Sequence, residues 1–298
     1  MCGIVGLFLK DPKLEPHLGE MLADMLITMT DRGPDSAGIA VYGRPRKGRA
    51  KLTVQSANPG ADFDGLDRDL KKEIGGKVGI EVKDTHAVLE VDEDRLEVAR
   101  DVVRTLRPGL KLMSAGEGIE IYKEVGLPKD VAARFEIARM SGTHGIGHTR
   151  MATESAVTTM GAHPFSTGPD QCLVHNGSLS NHNAVRRTLK RAGMTFETEN
   201  DTEVAAAYLS HKIADGAGLG QAMEGTLQDL DGFFTFVVGT RNGFGVVRDP
   251  IACKPAVMAE TDQYVAFGSE YRAMVGLPGI ETARVWEPEP ATVYFWER

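Results

Sequence analysis

The chain has 298 residues, of which 42% are hydrophobic and 26% charged, with a formal net charge of −8. This composition allows one large domain, or one domain with an insertion, and the acidic balance argues against a nucleic-acid-binding surface, which requires a basic patch. Three scattered cysteines (Cys2, Cys172, Cys253) suit a reducing cytoplasm rather than a disulfide framework or metal cluster, and neither a secretory leader nor an apolar run of about 18 residues suggests export or a membrane span.

The chain opens Met1-Cys2-Gly3-Ile4-Val5-Gly6-Leu7-Phe8, an apolar strand whose glycines permit close backbone approach. Cys2 follows the initiator methionine directly. If Met1 is removed, Cys2 becomes the first residue: its thiol is a nucleophile, and its own α-amine (ordinary pKa about 7.7–8.0) is a base near neutral pH. The alternative is an ordinary cysteine near a start codon. Leu18, Met21, Leu22, Met25, Leu26 and Met29 recur at helical spacing and predict an amphipathic helix with a methionine-rich core face. Asp31-Arg32-Gly33-Pro34-Asp35 ends that helix, and Ser36 to Tyr42 reads as a strand.

The next stretch is more charged. Lys51 to Ser56 reads as a strand, Gly65 to Ile74 as a polar helix, and Val78 to Val82 and His86 to Val91 as strands around a Lys83-Asp84-Thr85 turn. Asp94 to Leu106 is a helix with Leu96, Ala99, Val102, Val103 and Leu106 inward, and Gly118 to Tyr122 returns as a strand. This β-α-β-β-α-β order predicts a ferredoxin-like inserted subdomain over residues 51–125. Its many Asp, Glu and Lys read as a solvated face, with docking or regulation as the alternative. Beyond it, Gly142 to Thr149 and Gln171 to His175 read as strands, and Asn181 to Ala192, Asp201 to Asp215 and Gln221 to Leu230 as helices. Short strands follow at Phe233 to Thr240, Gly243 to Arg248, Pro255 to Glu260, Tyr264 to Gly268 and Ala291 to Trp296. Helices and mostly antiparallel strands in blocks favour an α+β fold.

Four further motifs stand out: Arg32-Gly33-Pro34-Asp35-Ser36-Ala37-Gly38, Gly147-His148-Thr149-Arg150-Met151-Ala152-Thr153, His175-Asn176-Gly177 and Asn200-Asp201-Thr202-Glu203. Together with the opening strand, and in this order, they resemble the class II glutamine amidotransferases, N-terminal-nucleophile hydrolases that release ammonia from glutamine. The resemblance covers residues 1–42 and 142–298. It implies a four-layer αββα sandwich over residues 1–298, with residues 51–125 inserted. It also implies Cys2 as the nucleophile that forms a γ-glutamyl thioester, and Asn176 and Gly177 as oxyanion donors. Arg150 would clamp the substrate α-carboxylate, Thr153 would add a hydroxyl contact, Asp201 would hold the α-ammonium, and Arg32 would support the nucleophile's surroundings. Taken alone, Asn176-Gly177 is a hairpin turn, Arg150 a surface ion pair and Asp201 part of a helix cap. Met151 and Glu154 stand where many relatives carry Trp and His, a departure that touches loop closure over glutamine. His144, His148, His163 and His175 read as core or turn residues.

This half-reaction needs no cofactor. Ammonia released at neutral pH is mostly ammonium, and the family passes it to a synthase site. No synthase segment follows the amidotransferase blocks here, so a partner subunit is expected. Its expected type is that of glutamate synthase or N-methylglutamate synthase, with a flavin on the partner. Two competing expectations are a catalytically silent glutamine-binding or assembly subunit and another N-terminal-nucleophile amidohydrolase acting on γ-glutamyl compounds. Arg150 and Asp201 weigh against the second, because they demand a free amino-acid end.

Overall fold

The computed structural model describes residues 2–152 and 156–298. In chain order it runs β1 (Gly3–Leu9), α1 (Leu18–Thr28), β2 (Ser36–Tyr42), β3 (Arg49–Gln55), α2 (Pro59–Asp62), α3 (Leu66–Ile74), β4 (Gly79–Lys83), β5 (His86–Asp92), α4 (Leu96–Leu106), β6 (Lys111–Gly116), β7 (Ile119–Val125) and α5 (Pro128–Arg134). It continues with β8 (His144–Arg150), β9 (Cys172–Leu179), α6 (His182–Arg191), α7 (Asp201–Ala214), α8 (Leu219–Asp229), β10 (Gly232–Gly239), β11 (Gly243–Arg248), β12 (Val257–Glu260), β13 (Tyr264–Gly268), β14 (Arg284–Trp286) and β15 (Thr292–Glu297).

The strand order β14-β12-β13-β1-β8-β2-β7 forms one seven-stranded antiparallel sheet, and β15-β11-β10-β9 forms a four-stranded sheet stacked on it. Every residue of β1 is buried because both faces of the strand are covered, which is why it reads as a continuous apolar run. Val5, Leu7 and Leu9 join the core under α1 and α5, while Ile4 and Phe8 meet Val174, Val237, Phe244 and Val246 of the second sheet. Outside that sheet, α6, α7 and α8 bury Leu189, Val204, Leu209, Ala222 and Met223 against Phe234 and Phe236. The layers are therefore helix, sheet, sheet, helix, as the sequence resemblance implies. Between the sheets, the Tyr42 ring stacks on His144 at 4.1 Å and its hydroxyl donates to Cys172 Sγ at 3.3 Å. Among the described residues no helix is long and apolar enough to cross a membrane.

A second four-stranded antiparallel sheet, β4-β5-β3-β6, carries α3 and α4 and has its own core of Leu52, Val54, Leu66, Leu70, Leu89 and Val103. One strand assignment changes. The last strand of this sheet is Lys111–Gly116, and the strand read at Gly118 to Tyr122 is instead the edge of the seven-stranded core sheet, paired with β2 from Ser36↔Val125 to Tyr42↔Ile119. Local alternation suits either sheet. The crossing from one to the other is fixed by Asp170, more than fifty residues downstream. Its carboxylate accepts from the backbone N–H groups of Glu117 (2.7 Å), Gly118 (2.9 Å) and Ile119 (3.0 Å), and its own N–H donates to Ala115 O at 2.9 Å.

Replacing Asp170 with Ala strands three N–H donors in a largely buried turn, and hydrogen bonds to a charged acceptor are the strong kind. We expect a loss of about 3 kcal/mol in urea unfolding, with Asp170→Asn, which keeps one acceptor oxygen, losing about half as much. Equal stability of Asp170→Ala and the parent would remove Asp170 as the determinant of this crossing.

Candidate active site

β1 lies at the centre of the large sheet between β13 and β8, and the register Gly3↔Thr149 sets Cys2 beside Arg150 at the end of β8. Cys2 is half-buried, with its Sγ 3.9 Å from Met151 O. Its carbonyl oxygen accepts two hydrogen bonds, from Arg32 Nε at 2.9 Å and from Asn176 Nδ2 at 3.1 Å. Three blocks far apart in sequence thus meet at one peptide group.

Arg32 ends the short 3-10 turn that follows α1, and its guanidinium is almost fully buried. Nη1 pairs with Glu270 Oε1 at 2.7 Å, and the other oxygen of Glu270 pairs with Arg272 Nε at 2.7 Å. Arg32 and Arg272 together hold the Glu270 carboxyl below the usual carboxylate range, the hydrogen bond to Arg32 being the largest cause. Glu270 has no local sequence signal that marks it for this task. Gly33 is obligatory for a steric reason: a Cβ there would run into the Thr149 carbonyl and the Arg150 backbone nitrogen. Asp35, which the sequence reading places in its motif without a role, binds the chain on either side of Met151. Its N–H donates to Arg150 O at 3.1 Å and its Oδ2 accepts from Ala152 N at 2.8 Å. Arg150 is 8% exposed, and its Nη1 donates to Ala156 O at 3.3 Å. Thr153 and Glu154 lie outside the described residues.

From the second sheet, β9 contributes His175, Asn176 and Gly177. Gly177 has φ +147°, and a Cβ there would overlap the Phe233 carbonyl oxygen, so this position must be glycine. The Asn-Gly pair is not a hairpin tip: it lies within β9, paired with Thr235 and Phe234 of β10. Behind it, three imidazoles interlock. His148 Nε2 lies 3.2 Å from His175 O, the His148 and His163 rings are 4.1 Å apart, and the His175 N–H donates to His163 Nδ1 at 3.4 Å. Thr202 Oγ1 sits between His163 Nε2 (3.2 Å) and His175 Nδ1 (3.1 Å). Burial pushes His148 down to about 3 and His163 well below its ordinary value, so both are neutral. His163, read as structural, has partners here that tie β9 to the start of α7.

Asn200 caps α7, its side chain accepting from Thr202 N at 2.8 Å. Asp201 is the first residue of the helix, and its Oδ2 accepts from Leu179 N at 2.9 Å. Burial pushes the Asp201 carboxyl up, but His175, the Leu179 N–H and His182 outweigh it and bring the pKa to about 2, leaving a partly exposed carboxylate. Glu203 accepts from Glu197 N, Thr198 N and Thr198 Oγ1 at 2.7, 2.8 and 2.6 Å, holding the turn that feeds the helix. Two other residues depart from the solvated face read for the middle stretch: Lys123 and Glu124 on β7 are 3% and 8% exposed.

The cysteines differ sharply. Cys172 is fully buried, and burial pushes its thiol up to about 12, which leaves it protonated and unreactive. Cys2 alone stands at the sheet end where Arg32, Asn176 and the Arg150 segment converge.

A profile of the glutamine amidotransferase domain matches residues 148–276. The glutamine amidotransferase-like protein GlxB of Rhizobium meliloti is 70% identical over 297 residues, spanning 100% of this chain and 98% of that one. A protein of Methanothermobacter thermautotrophicus named provisionally as a glutamine amidotransferase is 33% identical over 312 residues, spanning 100% of each. Among solved structures, the glutamine phosphoribosylpyrophosphate amidotransferase of B. subtilis, complexed with ADP and GMP, superposes on 99% of this chain with a TM-score of 0.62 at 19% identity. The present chain spans 47% of that structure's chain, and the likeness is one of fold.

The folded pKa of Asp201, about 2, lies below its ordinary 3.8. Its stabilisation is therefore complete above pH 3.8 and is lost as the pH falls toward 2. Asp201→Asn should cost about 2 kcal/mol at pH 7, and the gap to the parent should close across that acid window in denaturant titrations at stepped pH. A gap that persists unchanged at the acid end would mean that the carboxylate's charge contributes nothing.

Proposed function

As the chain belongs to the class II glutamine amidotransferases, we propose that it hydrolyses the side-chain amide of glutamine through Cys2, provided Met1 has been removed. The observation that carries this reading is the doubly held Cys2 carbonyl: Arg32 and Asn176 fix the peptide plane from which the thiol projects. The thiolate adds to the amide carbon of the substrate, and the α-amine of Cys2 takes the thiol proton and returns it to the leaving nitrogen. Ammonia departs and a γ-glutamyl thioester remains, which water hydrolyses to glutamate and free thiol. The oxyanion formed at each addition would be met by the Asn176 amide and the Gly177 N–H, donors set on a rigid strand. Arg150 would take the α-carboxylate, to which Thr153 would add a hydroxyl contact, and Asp201, ionised above about pH 2, would take the α-ammonium.

The finer reading concerns the fate of the ammonia. At neutral pH free ammonia is captured as ammonium, a poor nucleophile, so useful transfer requires a shielded acceptor site. We propose a synthase partner of glutamate-synthase-like type, carrying a flavin.

Incubation with 6-diazo-5-oxo-L-norleucine followed by intact and peptide mass spectrometry tests the nucleophile: the expected adduct lies on Cys2, with Met1 absent. Cys2→Ala should abolish glutaminase turnover while glutamine affinity stays within about threefold, whereas Arg150→Ala should weaken affinity about a hundredfold, the size of a lost charge-assisted pair. An adduct on Cys253, or glutamine binding indifferent to Arg150, would overturn these assignments. A processed chain that binds glutamine with no adduct and no turnover in complex with its synthase would be a silent subunit.

A further inference from the structure

We propose that Glu124 is a positioning residue for glutamine binding, coupling the four-stranded subdomain formed by β3–β6 to the segment that seats Arg150. The proposal rests on the reading of Arg150 as the α-carboxylate clamp.

Glu124 lies on β7, the edge of the core sheet, and is 8% exposed. Its two carboxylate oxygens serve opposite clients. Oε2 accepts from Thr85 Oγ1 at 3.1 Å, in the turn between β4 and β5 of the smaller sheet. Oε1 accepts from Thr159 Oγ1, in the segment that follows Arg150, and from Val125 N at 3.0 Å. The β4–β5 turn is itself held on the core, because Asp84 receives both Arg134 Nε (2.6 Å) and Arg134 Nη2 (2.9 Å) from α5. The turn cannot shift without disturbing the carboxylate that Thr159 uses.

Lys123 holds the same segment from the other side. Neighbouring strand residues point to opposite faces, and Lys123 Nζ donates to Ala162 O (2.8 Å), Pro164 O (3.2 Å) and Met160 O (3.4 Å). Residues 159–164 thus wrap the edge strand, gripped on both faces. The Arg150 guanidinium lies against this segment and the residues just before it: Nη1 donates to Ala156 O at 3.3 Å, and a Cβ placed on Gly161 would lie 3.4 Å from the same nitrogen. A path of hydrogen bonds and packing therefore runs from Thr85 through Glu124 and Thr159 to Arg150. A load on the β4–β5 turn, such as a docking protein, would reach glutamine binding along it.

The test is steady-state glutaminase kinetics of the full chain, with its synthase if turnover requires it, for Glu124→Gln, Thr85→Val, Thr159→Val and the Thr85→Val/Thr159→Val pair. Arg150→Lys serves as reference, and thermal midpoints are measured in parallel. Thr85 is far in sequence from every site residue, and its substitution leaves the core intact. The expected result is a KM for glutamine raised about tenfold in Glu124→Gln and severalfold in Thr85→Val, with kcat within about twofold, as follows when a binding group is displaced rather than removed. The paired variant should raise KM by less than the product of its two single effects. A merely structural Glu124 would lower the thermal midpoint and leave KM at the parent value. That outcome, with KM raised in Arg150→Lys, overturns the coupling alone. An unchanged KM in Arg150→Lys as well would remove the clamp reading and the coupling together. Should Glu124→Gln fail to fold, Thr85→Val decides by the same KM criterion.

Discussion

A peptide carbonyl has two acceptor positions, and at Cys2 both are filled by buried donors from different layers of the protein. Arg32 arrives from the end of the outer helix α1, and Asn176 reaches across from the second sheet. Each donor is costly to leave unpaired in a dry environment: Arg32 carries a charge that Glu270 balances, and Asn176 is 4% exposed. The sheets must therefore stack in a register that brings β9 under the first residues of β1. The same contact that locks the layers together orients the thiol, so stability and reactivity place the same demand on the packing.

Around this point charge is segregated. His148 and His163 are kept neutral by burial; His163 accepts at Nδ1 from the His175 N–H, which leaves Nε2–H to donate to Thr202 Oγ1, itself 3.1 Å from His175 Nδ1. Beyond the Arg32–Glu270 pair, charges here include Asp201, at the head of α7, and Arg150, at the end of β8. In the proposed reading these two groups, on separate elements, would meet the carboxylate and the ammonium of a free amino acid. Arg150 donates to Ala156 O, and Asp201 accepts from Leu179 N and faces His175.

Much of this was legible in the sequence, because the features concerned are local. The apolar run of β1, the 3.6-residue stripe of α1 and the Asn200 cap each declare themselves within a few residues. Cys2, Arg32 and Asn176 were legible as a set only because their blocks recur in a recognised order; nothing in periodicity says that an Arg at 32 and an Asn at 176 share an oxygen. What was misread depends on distant partners. The strand at Gly118 to Tyr122 alternates as either sheet would require, and the Asp170 carboxylate that settles its place is far along the chain. Lys123 and Glu124 look like two more charges in a charged stretch. Their burial depends on carbonyls and hydroxyls of residues 159–164, which sequence pattern does not connect to β7.

Edge strands expose unpaired backbone groups and are normally shielded. In this protein the segment after Arg150 is clasped to the edge strand β7 by Lys123 and Glu124, and the smaller sheet meets the same strand through Thr85. One strand thus brings three things together: the edge of the core, the segment against which the Arg150 guanidinium packs, and the turn of the added subdomain. A subdomain attached at the opposite edge, beyond β14, would have met none of these groups. The position of the smaller sheet in the chain between β2 and β7 is what puts its turn within hydrogen-bonding reach of Glu124, and that follows from chain connectivity before any question of function arises.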